Sequence, residues 1–310
     1  MFNELKQRYD NAVNGIAGKY FEEAYVKRLK FEKVCSLLSD EESRNLYVSE
    51  IARCLLKCFL SGDNASVWTG LMSNAEWARH LQQAADPELL WLLKSFAYPP
   101  KERAMMHYFI ATTFILEQYR YKDIVDVSKG DICIDCGACL GDTTLWMVKS
   151  GAKEVHSFEI DKENIECLQK TISSNSVDRK VKIVQKAVSS REGGVIYYSK
   201  NQGNVGGGTV SFEEKEGSYP VEVCRLDDYC KEAKVIPDFI KMDIEGAEMS
   251  ALNGAREVIA KHAPKLAICI YHSWEDRFNI PLLINEINPS YRMYLKKSHP
   301  SAETVLLCTV

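Results

Sequence analysis

Asp135-Cys136-Gly137-Ala138-Cys139-Leu140-Gly141-Asp142-Thr143-Thr144 joins an apolar run that starts at Asp131 to a segment with helical spacing. A turn of this make-up between a strand and a helix suits a ligand loop. Gly137 and Gly141 permit a tight turn and close backbone approach, and the helix start at Asp142 and Thr143 offers unpaired N–H groups to a carboxylate. Asp135, at the strand end, is placed to accept a hydrogen bond from an ammonium group. A dinucleotide turn would read GxGxxG, but the spacing from Gly137 is Gly-Ala-Cys-Leu-Gly and does not match. The plain alternative is an ordinary strand-to-helix turn. Cys133, Cys136 and Cys139 imitate a metal or iron–sulfur motif, but no fourth ligand lies nearby, so no metal is expected on the cysteines.

Outward from this loop the two halves of the chain differ. Beyond Gly130, β-branched runs alternate with amphipathic stretches, which predicts βαβ units and a mostly parallel sheet. Strands are expected at 131–135, 154–159, 181–187, 238–242, 265–271, 291–296 and 304–309, with helices in the long intervals. The last two are too close for a crossover helix and should pair antiparallel. The expected fold is therefore α/β, Rossmann-like, with seven strands ending in an antiparallel hairpin. Upstream, apolar residues recur at helical spacing, as at Ile51, Leu55, Cys58 and Phe59, punctuated by Pro87 and Pro99-Pro100 before a long helix over 105–121. The expected division is a helical region over 1–125 and a ligand-binding domain over 126–310.

Other strand ends carry chemistry. Phe158-Glu159 ends the second strand about 20 residues after the loop, where an acid can hold both hydroxyls of a ribose. Ala187, at the third strand end, is small enough to let backbone meet an adenine edge. Asp238-Phe239-Ile240-Lys241-Met242-Asp243-Ile244-Glu245-Gly246-Ala247-Glu248 is a buried strand breaking into an acidic turn, so Asp243 and Glu245 should share a crevice with Asp135 and Glu159. Glu248 reads as a charge complementing a helix dipole. His272, on the loop after the fifth strand, is the side chain whose ordinary pKa suits proton removal near neutrality.

Bulk properties exclude several classes. With 39 Lys and Arg against 43 Asp and Glu, and no long basic run, the chain lacks the surface that general nucleic-acid binding needs. It also lacks an apolar stretch of membrane-spanning length, and Met1 to Asp10 has no signal-peptide order. The eleven cysteines sit mostly in apolar runs, as reduced core thiols do. A cytoplasmic protein is expected; nothing specifies an oligomeric state.

Taken together the motifs resemble those of the FkbM family of S-adenosylmethionine-dependent methyltransferases. Asp135, Gly137, Ala138, Gly141 and Thr144 match its DxGAxxGxxT loop, and Lys241, Asp243, Glu245, Gly246 and Glu248 match its KxDxEGxE segment, with Ala187-Val188-Ser189 similar to its AVS step. The resemblance spans about residues 130–272. Ile160 stands where the family usually has Pro, and Cys139 where it has Asn. The resemblance implies O-methylation of a hydroxyl on a small molecule such as a sugar, lipid or secondary metabolite. It implies that the loop residues Asp135, Cys136, Gly137, Ala138, Cys139, Gly141, Asp142 and Thr143 take the methionine end of the cofactor. Glu159 and Ile160 would take the ribose, Ala187 the adenine, and Asp243 the reactive end, with Asp243, Glu245 and His272 catalytic. Three rivals remain: a divalent metal on Asp243, Glu245 and His272, an inactive scaffold with a helical interaction module, and an NAD-dependent oxidoreductase.

Overall fold

A computed structural model describes residues 28–56, 72–85, 103–200, 207–300 and 302–310. The proline punctuation at 87 and 99–100, Cys58, Phe59 and most of the glycine-rich stretch 201–208 lie outside these residues.

The sheet forms where the sequence is most apolar. Strands β1 (Ile132–Cys136), β2 (Glu154–Phe158), β3 (Val181–Val184), β8 (Phe239–Met242) and β9 (Lys265–Cys269) run parallel; β10 (Arg292–Lys297) and β11 (Thr304–Thr309) form the expected hairpin. The order is β10-β11-β9-β8-β1-β2-β3, with β11 antiparallel to both neighbours. Every residue of β8 is buried, as expected for a strand covered on both faces. Helices α5 (Asp142–Ser150), α6 (Lys162–Ser174), α7 (Leu226–Ala233), α8 (Glu248–Asn253), α9 (Arg256–His262) and α10 (Asp276–Ile287) fill the intervals. Because β10 runs parallel to β9, its carboxyl end opens onto the same crevice as the ends of β1, β2, β8 and β9.

The expected third strand is shorter than its apolar run. It stops at Val184, and Ala187–Val188 instead opens a second sheet, here β4, with β5 (Val195–Lys200), β6 (Gly208–Ser211) and β7 (Tyr219–Cys224) in the order β4-β7-β5-β6. The interval before the fourth strand thus holds a sheet ahead of the helix expected there, α7. Its strands do alternate, with Val221 and Val223 buried between exposed Pro220 and Glu222, the period of a half-covered antiparallel sheet.

Upstream, the described helices are α1 (Arg28–Leu37), α2 (Glu41–Leu56), α3 (Asn74–Ala84) and α4 (Arg103–Phe109), the last continuing as a π-helix over Ile110–Ile115. The long helix expected over 105–121 therefore ends early. The first two helices share the main core: Val34, Leu38, Tyr47 and Ile51 pack in one cluster with Ile134, Ile240 and Leu266. Ser39 N–H donates to the Met293 carbonyl at 2.8 Å, tying them to β10. No helix among the described residues is long and apolar enough to cross a membrane.

Candidate active site

The glycine loop is stapled to the ends of three strands. Gly137 has φ of +80°, and an added Cβ there would collide with the carbonyl oxygen of Asp243. The N–H groups of Gly137 and Ala138 both donate to the Phe158 carbonyl at 3.0 Å, and that of Asp243 to the Cys136 carbonyl at 3.1 Å. Asp135 is fully buried; its Oδ2 accepts from Thr143 Oγ1 at 2.7 Å and Thr144 Oγ1 at 2.8 Å. Its Oδ1 lies 3.1 Å from Lys241 Nζ, which also donates to the carbonyls of Gly137 at 2.6 Å and Cys136 at 3.2 Å. Asp135 so placed braces the loop, and its Oδ1, beside Lys241, receives no aligned hydrogen bond. Burial works against the charge on Lys241, but Asp135 and then Asp243 outweigh it and raise its pKa.

Glu159 faces this loop. Its Oε2 accepts from Cys139 N–H at 2.7 Å, and its Oε1 from Ile160 and Asp161 N–H at 2.7 and 2.8 Å. Burial nonetheless dominates and pushes its pKa up to about 7. The start of α5 has no side-chain cap, as a carboxylate-binding helix end requires, and Asp142 beside it accepts from Thr113 Oγ1 at 2.7 Å. Burial raises Asp142 to about 6, against that hydrogen bond. Ala138 packs under the loop with Leu168 and Ile172, and Cys136 is fully buried, so both have only backbone to offer a ligand. Ile160 and Ala187 pack together against the side-sheet cluster of Ile196, Tyr198, Val221 and Val223.

Across the crevice, charged side chains meet. The Asp243 carboxylate accepts from Tyr119 OH at 2.9 Å and Tyr271 OH at 3.2 Å, and lies 3.3 Å from His272 Nε2. His272 Nδ1 lies 3.0 Å from Glu248 Oε1, whose carboxylate also receives Ile244 N–H at 2.8 Å. Glu245 stands at the rim, half-exposed, 4.0 Å from His272 Nε2. Burial disfavours a charged ring, but Asp243 and Glu248 outweigh it and raise His272 to about 11. The two acids thus favour the charged ring, in which both nitrogens carry a proton. Burial also opposes the charge on Asp243, yet His272 and Lys241 hold its carboxyl below the usual range.

Sequence reasoning missed part of this half. Glu248 is fully buried against His272 and does more than complement a dipole. Glu303, also buried, accepts from Tyr108 OH and from Tyr271 OH at 3.4 Å; burial and the charge of Asp243 raise it to about 7. Glu303 was findable, because the β10–β11 connection must lie at the carboxyl ends of the parallel strands. Tyr108 and Tyr119 carried no local signal.

Sheet order, antiparallel last strand and a glycine loop at the end of β1 define a Rossmann-like methyltransferase fold. Residues 135–299, more than half of the chain, match the methyltransferase FkbM domain, and the chain belongs to that family. Methyltransferase FkbM from Methylobacillus flagellatus KT, a crystal structure, aligns with TM-score 0.62 and 21% identity over 93% of this chain and 60% of its own. This chain thus spans less than two thirds of that protein. Weaker likenesses include an rRNA methylase from Streptococcus thermophilus (TM-score 0.39, 12% identity, 68% and 97% coverage). Another is fibrillarin from Aeropyrum pernix bound to S-adenosyl-L-methionine (TM-score 0.40, 10% identity, 63% and 74% coverage). A comparison with curated proteins found no match.

Proposed function

We propose that the chain moves a methyl group from S-adenosylmethionine to a hydroxyl of a small molecule. The observation that carries this reading is the meeting, at one edge of the sheet, of an uncapped helix start, Glu159 and the Asp243 cluster. The residues fit the cofactor: the α5 amides suit its carboxylate, and Glu159, held rigid by three backbone donors, keeps a lone pair on Oε2 for a ribose hydroxyl. When bound, the cofactor supplies an electrophilic methyl on a sulfonium. This chain's residues do the rest by positioning, which can make a bimolecular step effectively unimolecular. The hydroxyls of Tyr119 and Tyr271 fix Asp243, and Glu303, whose pKa is raised to about 7, is a buried acid suited to accept a proton near neutrality. Glu245 lines the rim where an acceptor enters.

The test is calorimetry with S-adenosylmethionine, S-adenosylhomocysteine and NAD, followed by a mass-shift screen of hydroxylated metabolites with cofactor. Binding of the first two without NAD is expected. NAD binding as tight as theirs refutes the reading.

A further inference from the structure

The floor of the acceptor half gathers buried polar atoms that their neighbours do not match. Glu248 is fully buried, and its Oε2 has no hydrogen-bond donor. The His272 side chain is only 9% exposed, with Nδ1 3.0 Å from Glu248 and Nε2 3.3 Å from Asp243. Neither nitrogen makes an aligned hydrogen bond with the oxygen beside it. A metal takes only one nitrogen of the ring, and one nitrogen of His272 with one oxygen of each acid already lies within reach of a single centre. Charge adds to this. Asp243, Glu248 and Glu303 share the chamber with His272 and Lys241, and Lys241 is already matched by Asp135. A surplus of buried negative charge calls for a cation.

We propose that Asp243, Glu248 and His272 hold one divalent metal cation whose remaining positions are open. One donor atom from each residue lies within 4.8 Å of the others. A cation bonded at about 2.0–2.4 Å to each of its ligands spans such a set. Two carboxylates and one imidazole suit manganese or magnesium better than thiolate-seeking metals. The third ligand is Glu248, not the Glu245 that the spacing suggested. A ring proton and a metal are alternative ways of neutralising the same two acids. The cation's role, holding the acceptor oxygen in an open position, rests on the methyltransferase reading; its binding does not.

The experiment titrates the full chain, stripped with EDTA, with MnCl2 and reads free manganese by electron paramagnetic resonance. One site per chain is expected, at least about tenfold weaker in Asp243→Asn and Glu248→Gln and unchanged in the surface variant Glu257→Gln. Should the buried variants fail to fold, spin-echo spectra of manganese-loaded wild type must show coupling to one imidazole nitrogen. No manganese binding, no nitrogen coupling, or equal affinity in folded variants overturns the proposal. S-adenosylhomocysteine binding to metal-free wild type is measured in parallel. If that ligand binds and manganese does not, the metal site alone fails; manganese binding without it sinks only the cofactor reading.

Discussion

The two sides of the crevice are built by different means. The side proposed for the cofactor comes from one short stretch, Asp135 to Asp161, and works through backbone: a glycine turn, an uncapped helix start and three amides converging on Glu159. The side proposed for the acceptor is assembled from Tyr108, Tyr119, Asp243, Glu248, His272 and Glu303, and works through side-chain charge. The first needs a fixed chain shape, which local sequence encodes. The second needs a completed sheet before its groups meet. Changes on the two sides should therefore fail differently.

The largest effect is expected on the acceptor side. Once a substrate is found, Asp243→Asn should lower turnover by about 10²–10⁴-fold with near-normal S-adenosylhomocysteine affinity. Steady-state kinetics beside calorimetry checks this, and equal losses in both would erase the distinction between the sides. Lys241 joins them, lying against Asp135 and feeling the charge of Asp243. Lys241→Met leaves Asp135 buried without its cation and should cost about 3–5 kcal/mol in urea unfolding. A loss below about 1 kcal/mol would mean that the two threonines suffice for Asp135.

Smaller effects belong to the cofactor side. Glu159→Ala should weaken S-adenosylhomocysteine by about 1–3 kcal/mol. It also strips an acceptor from three amides, so Glu159→Gln is the cleaner probe, keeping one acceptor oxygen while losing charge. Unchanged calorimetric affinity in both would show that Glu159 only props the loop. The pH dependence has a definite sign. The carboxylate form accepts from hydroxyls, so with a pKa raised to about 7 affinity should rise as pH climbs through that value and fall below it by up to about 1.4 kcal/mol per pH unit. The ligand-free fold runs the opposite way, since a raised carboxyl pKa favours folding at low pH and that gain is lost as pH rises through about 7. Affinity that is flat from pH 5.5 to 8 would put the Glu159 charge outside recognition.

Legibility followed the same contrast. Strand positions, the hairpin and the stretch 135–144 could be read because each rests on local periodicity or a turn that only glycine adopts. The side sheet was missed: β5 and β7 alternate, but they lie where a crossover helix normally runs. Glu248 was underestimated because burial depends on where α10 and the His272 loop come to rest, which spacing does not encode.

Thr113, Tyr108 and Tyr119 all precede residue 135, yet they bond Asp142, Glu303 and Asp243 respectively. The family match covers 135–299, so it begins after these three hydroxyls and stops before Glu303. A graft or truncation made at that boundary would carry the cofactor loop, lose Glu303 altogether, and leave Asp142 and Asp243 each missing a hydroxyl. The transferable unit begins upstream, at or before the π-helix over Ile110–Ile115 and the turn of helix that carries Tyr108.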